Sequence, residues 1–114
     1  MFRWFGAAGL ILVSAPFASA DPVTSYSGND LYGMCIAAPF GAQEYALGAA
    51  EGSAYLGKIG TLSSPVFCVP LNVDISQYGD VICHYLAGHP AVRQYPASAL
   101  VTAAFADAWP CHAE

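Results

Sequence analysis

The segment Phe67–Pro90, FCVPLNVDISQYGDVICHYLAGHP, constrains the fold of this chain more than any other. Pro70 prevents a helix from starting earlier, and Gly88–Pro90 has the glycine and proline that end one. Between these breaks, Asp74 and Gln77 have the spacing of a helix capping box. Apolar side chains then recur at steps of three and four, as on one buried helical face: Ile75, Tyr78, Ile82, Tyr85 and Leu86. We therefore predict a central helix that packs against all the others.

Residues 1–20 have the features of a cleaved export signal. Arg3 supplies a positive charge, residues 5–13 are apolar, and residues 18–20 are the small side chains that a signal peptidase reads. A membrane anchor is the competing interpretation, but the apolar run is shorter than the ~20 residues that span a bilayer. We expect cleavage after Ala20, a mature domain of residues 21–114, and no membrane insertion after cleavage.

All four cysteines, Cys35, Cys68, Cys83 and Cys111, follow the expected signal. An even number of cysteines in an exported chain predicts disulfide bonds. A domain of this size buries only roughly 60–65% of its unfolded surface, so covalent links would help a modest core. We predict a domain held together by two disulfides.

The expected mature domain is strongly acidic. Lys58 and Arg93 are its two strong cations against eight carboxylates, which gives a net charge of −6 with neutral histidines. Binding to a nucleic acid backbone or to an anionic membrane surface needs clustered Lys and Arg, so both partners are excluded. The charge favours a basic protein partner, although solubility alone also explains it.

Three further helices are predicted around the central one. The first covers residues 30–38, buries Leu31, Met34, Cys35 and Ala38, and ends at a break over Pro39–Gly41. The last starts at Pro96 and carries apolar residues at helical spacing, namely Leu100, Val101, Ala104, Phe105 and Ala108. No strand alternation persists along the chain. The predicted fold class is therefore all-α, a small single-domain bundle of about four helices.

The second helix, over about residues 42–56, contains two internal glycines. Its expected buried stripe is formed by Tyr45, Ala49, Gly52 and Leu56, with Gly48 alongside. Each glycine costs about 1 kcal/mol against alanine inside a helix. We interpret Gly48 and Gly52 as a groove that lets a neighbouring helix approach closely. A helix that is short or broken near Gly52 is the alternative.

The sequence offers no recognisable chemistry. His84, His89 and His112 have no i, i+4 spacing, and there is no Cys-x-x-Cys pair, so a zinc site lacks a local scaffold. There is no Gly-x-Ser-x-Gly elbow and no glycine-rich phosphate loop. We expect no catalytic residue, no metal and no cofactor, and hence a protein that is not an enzyme.

Short motifs occur in a particular order along the chain: Gly28-Asn29-Asp30-Leu31-Tyr32 with Cys35, Tyr45 with Gly48, Phe67-Cys68-Val69-Pro70, Gln77, Tyr85-Leu86, His89-Pro90, Arg93, Pro96-Ala97-Ser98, Leu100-Val101 and Trp109-Pro110-Cys111. Together they resemble the Rap/Tai immunity proteins of type VI secretion systems over nearly the whole mature chain. This chain departs from the family at Ala42, where a cysteine is usual, and Cys83 is an additional cysteine.

The resemblance implies a small helical periplasmic protein that binds and neutralises a peptidoglycan-cleaving effector, an amidase-like hydrolase. The expected partner is this hydrolase, and a homodimer is an open alternative to a monomer. A small helical periplasmic stress, chaperone-like or structural protein without an effector partner is the alternative function. The acidic charge suits either function, and a cell-wall amidase gene beside this one would favour immunity.

Two expectations concern particular residues. We pair Cys68 with Cys111, because this bond would tie the end of the last helix to the loop before the central helix, and Cys35 with Cys83. The two other connectivities stay open. For partner contacts we expect the loops Gly57–Val66 and Gly88–Tyr95, with Arg93 and Tyr95 as candidate contacts, since Arg and Tyr are common interface hot spots. Capping of helix carbonyls is the alternative role for Arg93.

Overall fold

The computed structural model describes residues 6, 9, 26–61 and 64–112. Four α-helices make up the domain: α1 (Gly28–Ala37), α2 (Pro39–Lys58), α3 (Ile75–Gly88) and α4 (Ala97–Ala108), with a short 3-10 helix at Pro90–Val92. No β-strand occurs among the described residues, so the all-α fold class is confirmed. The expected export signal lies outside the described residues apart from Gly6 and Gly9, and it stays a prediction.

The helix starts follow local capping chemistry. Ser27 caps α1, and the backbone N–H of Ser27 donates to Asp30 Oδ2 at 2.9 Å, which completes a capping box. The backbone N–H of Asp74 donates to Gln77 Oε1 at 2.8 Å, so the two residues predicted to start the central helix do interact there. α1 ends just before Pro39, as expected, but Pro39–Gly41 do not form a linker: they are the first residues of α2, and only Ala38 separates the two helices. Proline at the first helical position lacks only an N–H that has no partner in the helix.

The four helices contact one another in every pairing, so the prediction that the central helix packs against all the others is confirmed. The core lies between them and is formed by side chains at most 7% exposed: Leu31, Ala42, Ala46, Ala50, Ile82, Leu86, Ala97, Leu100, Val101, Ala104 and Phe105. On the predicted face of α3, Ile82 and Leu86 are buried and the other three residues are half-buried. The predicted face of α4 is buried except for Ala108, which is exposed.

The predicted face of α2 is wrong. Its buried residues are Ala42, Ala46 and Ala50, whereas Leu56 is exposed and Tyr45 is half-buried at the edge of the core. The sequence-based prediction placed the larger apolar residues of α2, Tyr45 and Leu56, on the buried face. The structure instead turns the alanines inward, because small side chains allow α2 to lie close to its neighbours.

The predicted groove at Gly48 and Gly52 is also wrong. A Cβ atom at either position would meet no other atom within 4 Å, and α2 continues past both as far as Lys58. The close approach involves Gly79 of α3, where a Cβ would lie 2.6 Å from Gln43 Cγ of α2. The glycine that permits close helix packing is thus on the partner helix.

Two disulfides cross-link the bundle. Cys35 of α1 is joined to Cys83 of α3, and Cys68 is joined to Cys111, as paired from the sequence. The first bond links two helices, and the second links the loop before α3 to the segment after α4. All four cysteines are thereby used, and none is free.

Candidate functional site

Large apolar side chains are exposed mainly around the end of α2 and the loop that follows it. Tyr55, Leu56 and Ile59 are exposed at this end of α2, and Val66 and Leu71 are exposed beyond it. Contiguous exposed apolar surface is typical of a protein interaction site. We therefore take this part of the molecule as the first candidate surface.

An apolar groove of about 360 Å³ adjoins this surface, and Val66 belongs to both. One wall is the C-terminal half of α2, with Leu47, Ala50, Glu51, Ser53, Ala54 and Gly57. The opposite wall is formed by residues of the loop before α3 and one residue of α3, namely Pro65, Val66, Phe67, Val69 and Tyr78. We call this feature the α2 groove.

The loop wall of the α2 groove is held by packing and by covalent structure. The ring of Phe67 packs edge-on against Phe105 with centroids 5.2 Å apart, and Tyr78 packs in the same way against Phe105 and Trp109. The backbone N–H of Cys68 donates to the carbonyl of Trp109 at 2.9 Å, next to the Cys68–Cys111 disulfide. This wall is therefore fixed before any partner arrives.

Among the described residues, Glu51 is the one charged residue in the lining of the α2 groove. Its side chain is exposed on α2. Beyond the loop wall, Leu71 is 92% exposed and precedes Asn72, whose φ of 67° lies in the left-handed region that asparagine tolerates. A turn of this kind holds Leu71 away from the core. The site thus combines apolar surface with a single negative charge.

The second predicted contact region contains Arg93, and here the structure supports the alternative role. The Arg93 Nε donates to the carbonyl of Leu86 at 2.7 Å, and an Nη donates to that of Ala87 at 3.3 Å, at the end of α3. The guanidinium also lies over the ring of Tyr32, 3.7 Å from its centroid. Capping of helix carbonyls by Arg93 is therefore confirmed, and a role in partner binding stays a prediction.

The backbone around Arg93 is paired as fully as its side chain. The amides of Gly28 and Asn29, at the start of α1, donate to the carbonyls of Tyr95 and Arg93 at 2.9 and 2.8 Å. We call the region formed by residues 26–31 and 93–97 the α1 corner. The side chain of Tyr95 is 54% exposed there, and it does not line the α2 groove.

One carboxylate at the α1 corner has a shifted pKa. Asp30 Oδ2 accepts from the backbone N–H of Ser27 and from its hydroxyl at 2.8 Å. These two bonds favour the ionised form, so they hold the pKa of Asp30 below its usual value. The group is part of a helix cap, and it has no partner that would indicate acid–base catalysis.

A smaller cleft of about 180 Å³ lies between α3 and α4, where His84, His89 and Asp107 are among the lining residues. The ring of His89 stacks on Tyr85 with centroids 4.0 Å apart, and its Nδ1 donates to the Tyr85 carbonyl at 2.7 Å. Over the described residues, no three His, Cys, Asp or Glu side chains come together in a way that could hold a metal ion. Within the same ranges, no helix is both long enough and apolar enough to cross a membrane.

Sequence reasoning found part of the candidate surface. Gly57, Pro65 and Val66 line the α2 groove and belong to the predicted contact loop Gly57–Val66. The α2 wall, including Glu51 and Ala54, was missed because it depends on which face of α2 is buried. The side of the helix with half-buried Leu47 and exposed Ala54 becomes recognisable only once the other alanines are known to face inward.

Comparison with known proteins adds one finding. A family model described as Rap1a immunity proteins matches residues 27–111, which include all four helices and both disulfides. No curated protein and no protein of solved structure gives a significant match.

Proposed function

Because this chain belongs to the Rap1a immunity protein family, we propose that it binds and inhibits a peptidoglycan-cleaving effector delivered by a type VI secretion system. The family match over residues 27–111 is the observation that carries this proposal. An immunity protein acts by binding a protein effector, so the role implied by the family is not enzymatic. The effector we propose is an amidase-like cell-wall hydrolase, and the inhibitor has no turnover of its own.

Two properties of the chain support action in the periplasm. The domain contains two disulfide bonds. Disulfide bonds form and persist in oxidising compartments such as the periplasm. The first residues have the pattern of an export signal. An inhibitor in this compartment meets the effector where peptidoglycan is cleaved.

Inhibition requires a tight complex. Stable protein interfaces bury about 1,200–2,000 Å² in total, and a domain of this size can supply half of that area. The excess of carboxylates accelerates the encounter with a basic effector, and this acceleration declines as salt is raised. A monomer or a homodimer can present such a surface.

The test is co-expression in the periplasm with a cell-wall amidase, first of all one encoded beside this gene. We expect the full-length protein to prevent lysis and the purified mature domain to bind the amidase and block its activity. Ile82→Asp is the control that should not protect, because Ile82 is 1% exposed and an unpaired charge there unfolds the domain. A chain lacking residues 2–20 should also fail to protect. Lysis at the same rate with the full-length protein, together with no measurable binding, would reject the immunity function.

A further inference from the structure

We propose that the α2 groove is the docking site for one apolar side chain of a protein partner, with a Lys or Arg beside it that pairs with Glu51. This inference rests on the proposed function, for which it names the contact surface and the chemistry of the partner segment. The occupant is therefore an exposed apolar residue of the effector that has a basic neighbour.

The dimensions of the α2 groove fit a side chain that inserts between two walls. Its volume of about 360 Å³ is near the lower limit for ligand pockets, which range over roughly 300–1,000 Å³. Ala50 is buried at its base, and Phe67 and Tyr78 are half-buried on the opposite side. The outer lining residues Ala54, Gly57 and Val66 are exposed, so a polypeptide can lie across the opening.

The walls of the α2 groove are already in place. Phe67 and Tyr78 pack on Phe105 of α4, and Cys68, between Phe67 and Val69, is tied to Cys111. A site that is ordered in advance loses little conformational entropy on binding, so more of the contact energy appears as affinity. An apolar anchor in a fixed pocket is the usual composition of an interface hot spot.

The charge of the α2 groove selects the flanking residue. Glu51 is exposed, and within the part of the chain that the structure describes it is the one charged side chain in the lining. The C-terminal carbonyls of α2 add little to this charge, because those of Tyr55, Leu56 and Gly57 already accept from backbone amides of the following residues. Lys58, in the last turn of α2, does not line the groove. A partner that brings a carboxylate to Glu51 is repelled, whereas a partner that brings Lys or Arg is attracted.

A random peptide library displayed on phage tests this chemistry without the effector. Peptides selected by the immobilised mature domain should combine Leu, Phe or Trp with an adjacent Lys or Arg. Glu51→Lys should shift the selected flanking residue to Asp or Glu. Glu44→Lys is the matched control, since Glu44 is an exposed carboxylate on the same helix outside the groove, and the change in net charge is identical. Selected peptides without this pattern, or an equal shift with Glu44→Lys, would overturn the proposal.

A second variant fills the α2 groove. Ala54→Trp places a large ring between the walls, and we expect it to weaken binding of the selected peptides by about tenfold or more. Ala99→Trp, at an exposed site on α4, is the matched control and should leave affinity unchanged. Thermal unfolding establishes that both variants are folded. Peptide affinity that is equal in Ala54→Trp and Ala99→Trp would place the binding site elsewhere.

The same two variants connect the α2 groove to immunity. If the wild-type chain protects cells from the amidase, Ala54→Trp should lose protection and Ala99→Trp should keep it. Full protection by Ala54→Trp would show that the effector does not use the groove. If the wild-type chain does not protect, the immunity function fails, and the peptide selection still decides whether the groove binds a basic and apolar segment.

Discussion

At the α1 corner the backbone amides and the Arg93 guanidinium find partners within the chain, whereas the α2 groove is lined mostly by apolar side chains. The amides of Gly28, Asn29 and Ala97 all donate to carbonyls across the α1 corner, and the Arg93 guanidinium is bonded and stacked. Near the α2 groove, Tyr55, Ile59 and Val66 have about half or more of their surface in solvent.

This difference separates residues that hold the fold from residues available to a partner. Arg93 is a common type of hot-spot residue, but its donors are used within the domain, and using them for a partner would release the end of α3. The apolar residues near the α2 groove lose no internal contact when a partner covers them. The two regions should therefore respond differently to the same kinds of change.

The largest effect should come from removing the disulfides. They close segments of 48 and 43 residues, and the chain-entropy model gives about 4 kcal/mol for each. We expect Cys35→Ala with Cys83→Ala and Cys68→Ala with Cys111→Ala to lower the free energy of unfolding by similar amounts in urea titrations. Only the second pair should also weaken peptide binding, because Cys68 lies between two groove residues.

Both double variants can be compared as folded proteins in trimethylamine N-oxide, which favours compact states. Peptide affinities that fall equally in the two would show that the Cys68–Cys111 bond has no special role in holding the α2 groove. A loss of affinity confined to the Cys35 and Cys83 pair would place the binding site away from the α2 groove.

The next effect concerns Arg93. Arg93→Ala removes hydrogen bonds from a charged group to the carbonyls of Leu86 and Ala87, and we expect a loss of about 2–3 kcal/mol in the free energy of unfolding. Arg93→Lys should lose nearly as much, since an ammonium cannot reproduce the planar stack on Tyr32. The folded molecules of both variants should protect cells from the effector as well as the folded wild-type protein does.

Tyr95→Ala provides the comparison within the same region. Its side chain is 54% exposed, and the backbone bond from Gly28 to its carbonyl survives the substitution, so stability should change by less than about 0.5 kcal/mol. Should Tyr95→Ala abolish protection while remaining stable, the α1 corner would belong to the contact surface.

Substituting glycine by alanine should give opposite signs in the two regions. A Cβ at Gly28 would lie 2.8 Å from the Arg93 carbonyl oxygen and 2.9 Å from its Cα, both backbone atoms that cannot easily move. Gly28→Ala should therefore destabilise the protein by about 1–3 kcal/mol. Gly48→Ala, in open space on α2, should stabilise it by up to about 1 kcal/mol. Thermal unfolding of the two variants measures both changes, and a Gly28→Ala protein at least as stable as the wild type would contradict the packing described for Gly28.

The sequence predicts those parts of the structure that depend on neighbouring residues. Asp74 with Gln77 starts the central helix, and the 3–4 spacing identifies Ile82 and Leu86 as buried, because a cap and a helical face need only local information. The face of α2 could not be obtained in this way. Alanines occur on more than one side of that helix, and the choice among them depends on how closely α3 approaches.

The α2 groove could not be predicted for a related reason. Its walls are a helix and a loop brought together by contacts between distant residues, such as Phe67 with Phe105. The sequence also does not decide the role of Arg93, because an arginine at this position can either cap helix carbonyls or bind a partner. Only the positions of the Leu86 and Ala87 carbonyls show which of these the side chain performs.

The smallest effect is a pH dependence at the α1 corner. Because the folded-state pKa of Asp30 is lowered, its carboxylate stabilises the fold above its unfolded pKa of about 3.9, and this contribution is lost as pH falls through the lower folded value. The stability difference between wild type and Asp30→Asn should therefore be constant near neutral pH and shrink below about pH 4.

Ser27→Ala should keep most of this pH dependence, because the backbone N–H of residue 27, the larger cause of the shift, still donates to Asp30. Urea unfolding of the three proteins from pH 7 into the acid range measures the difference. A gap between wild type and Asp30→Asn that is independent of pH would show that the Ser27–Asp30 capping box does not stabilise the α1 corner.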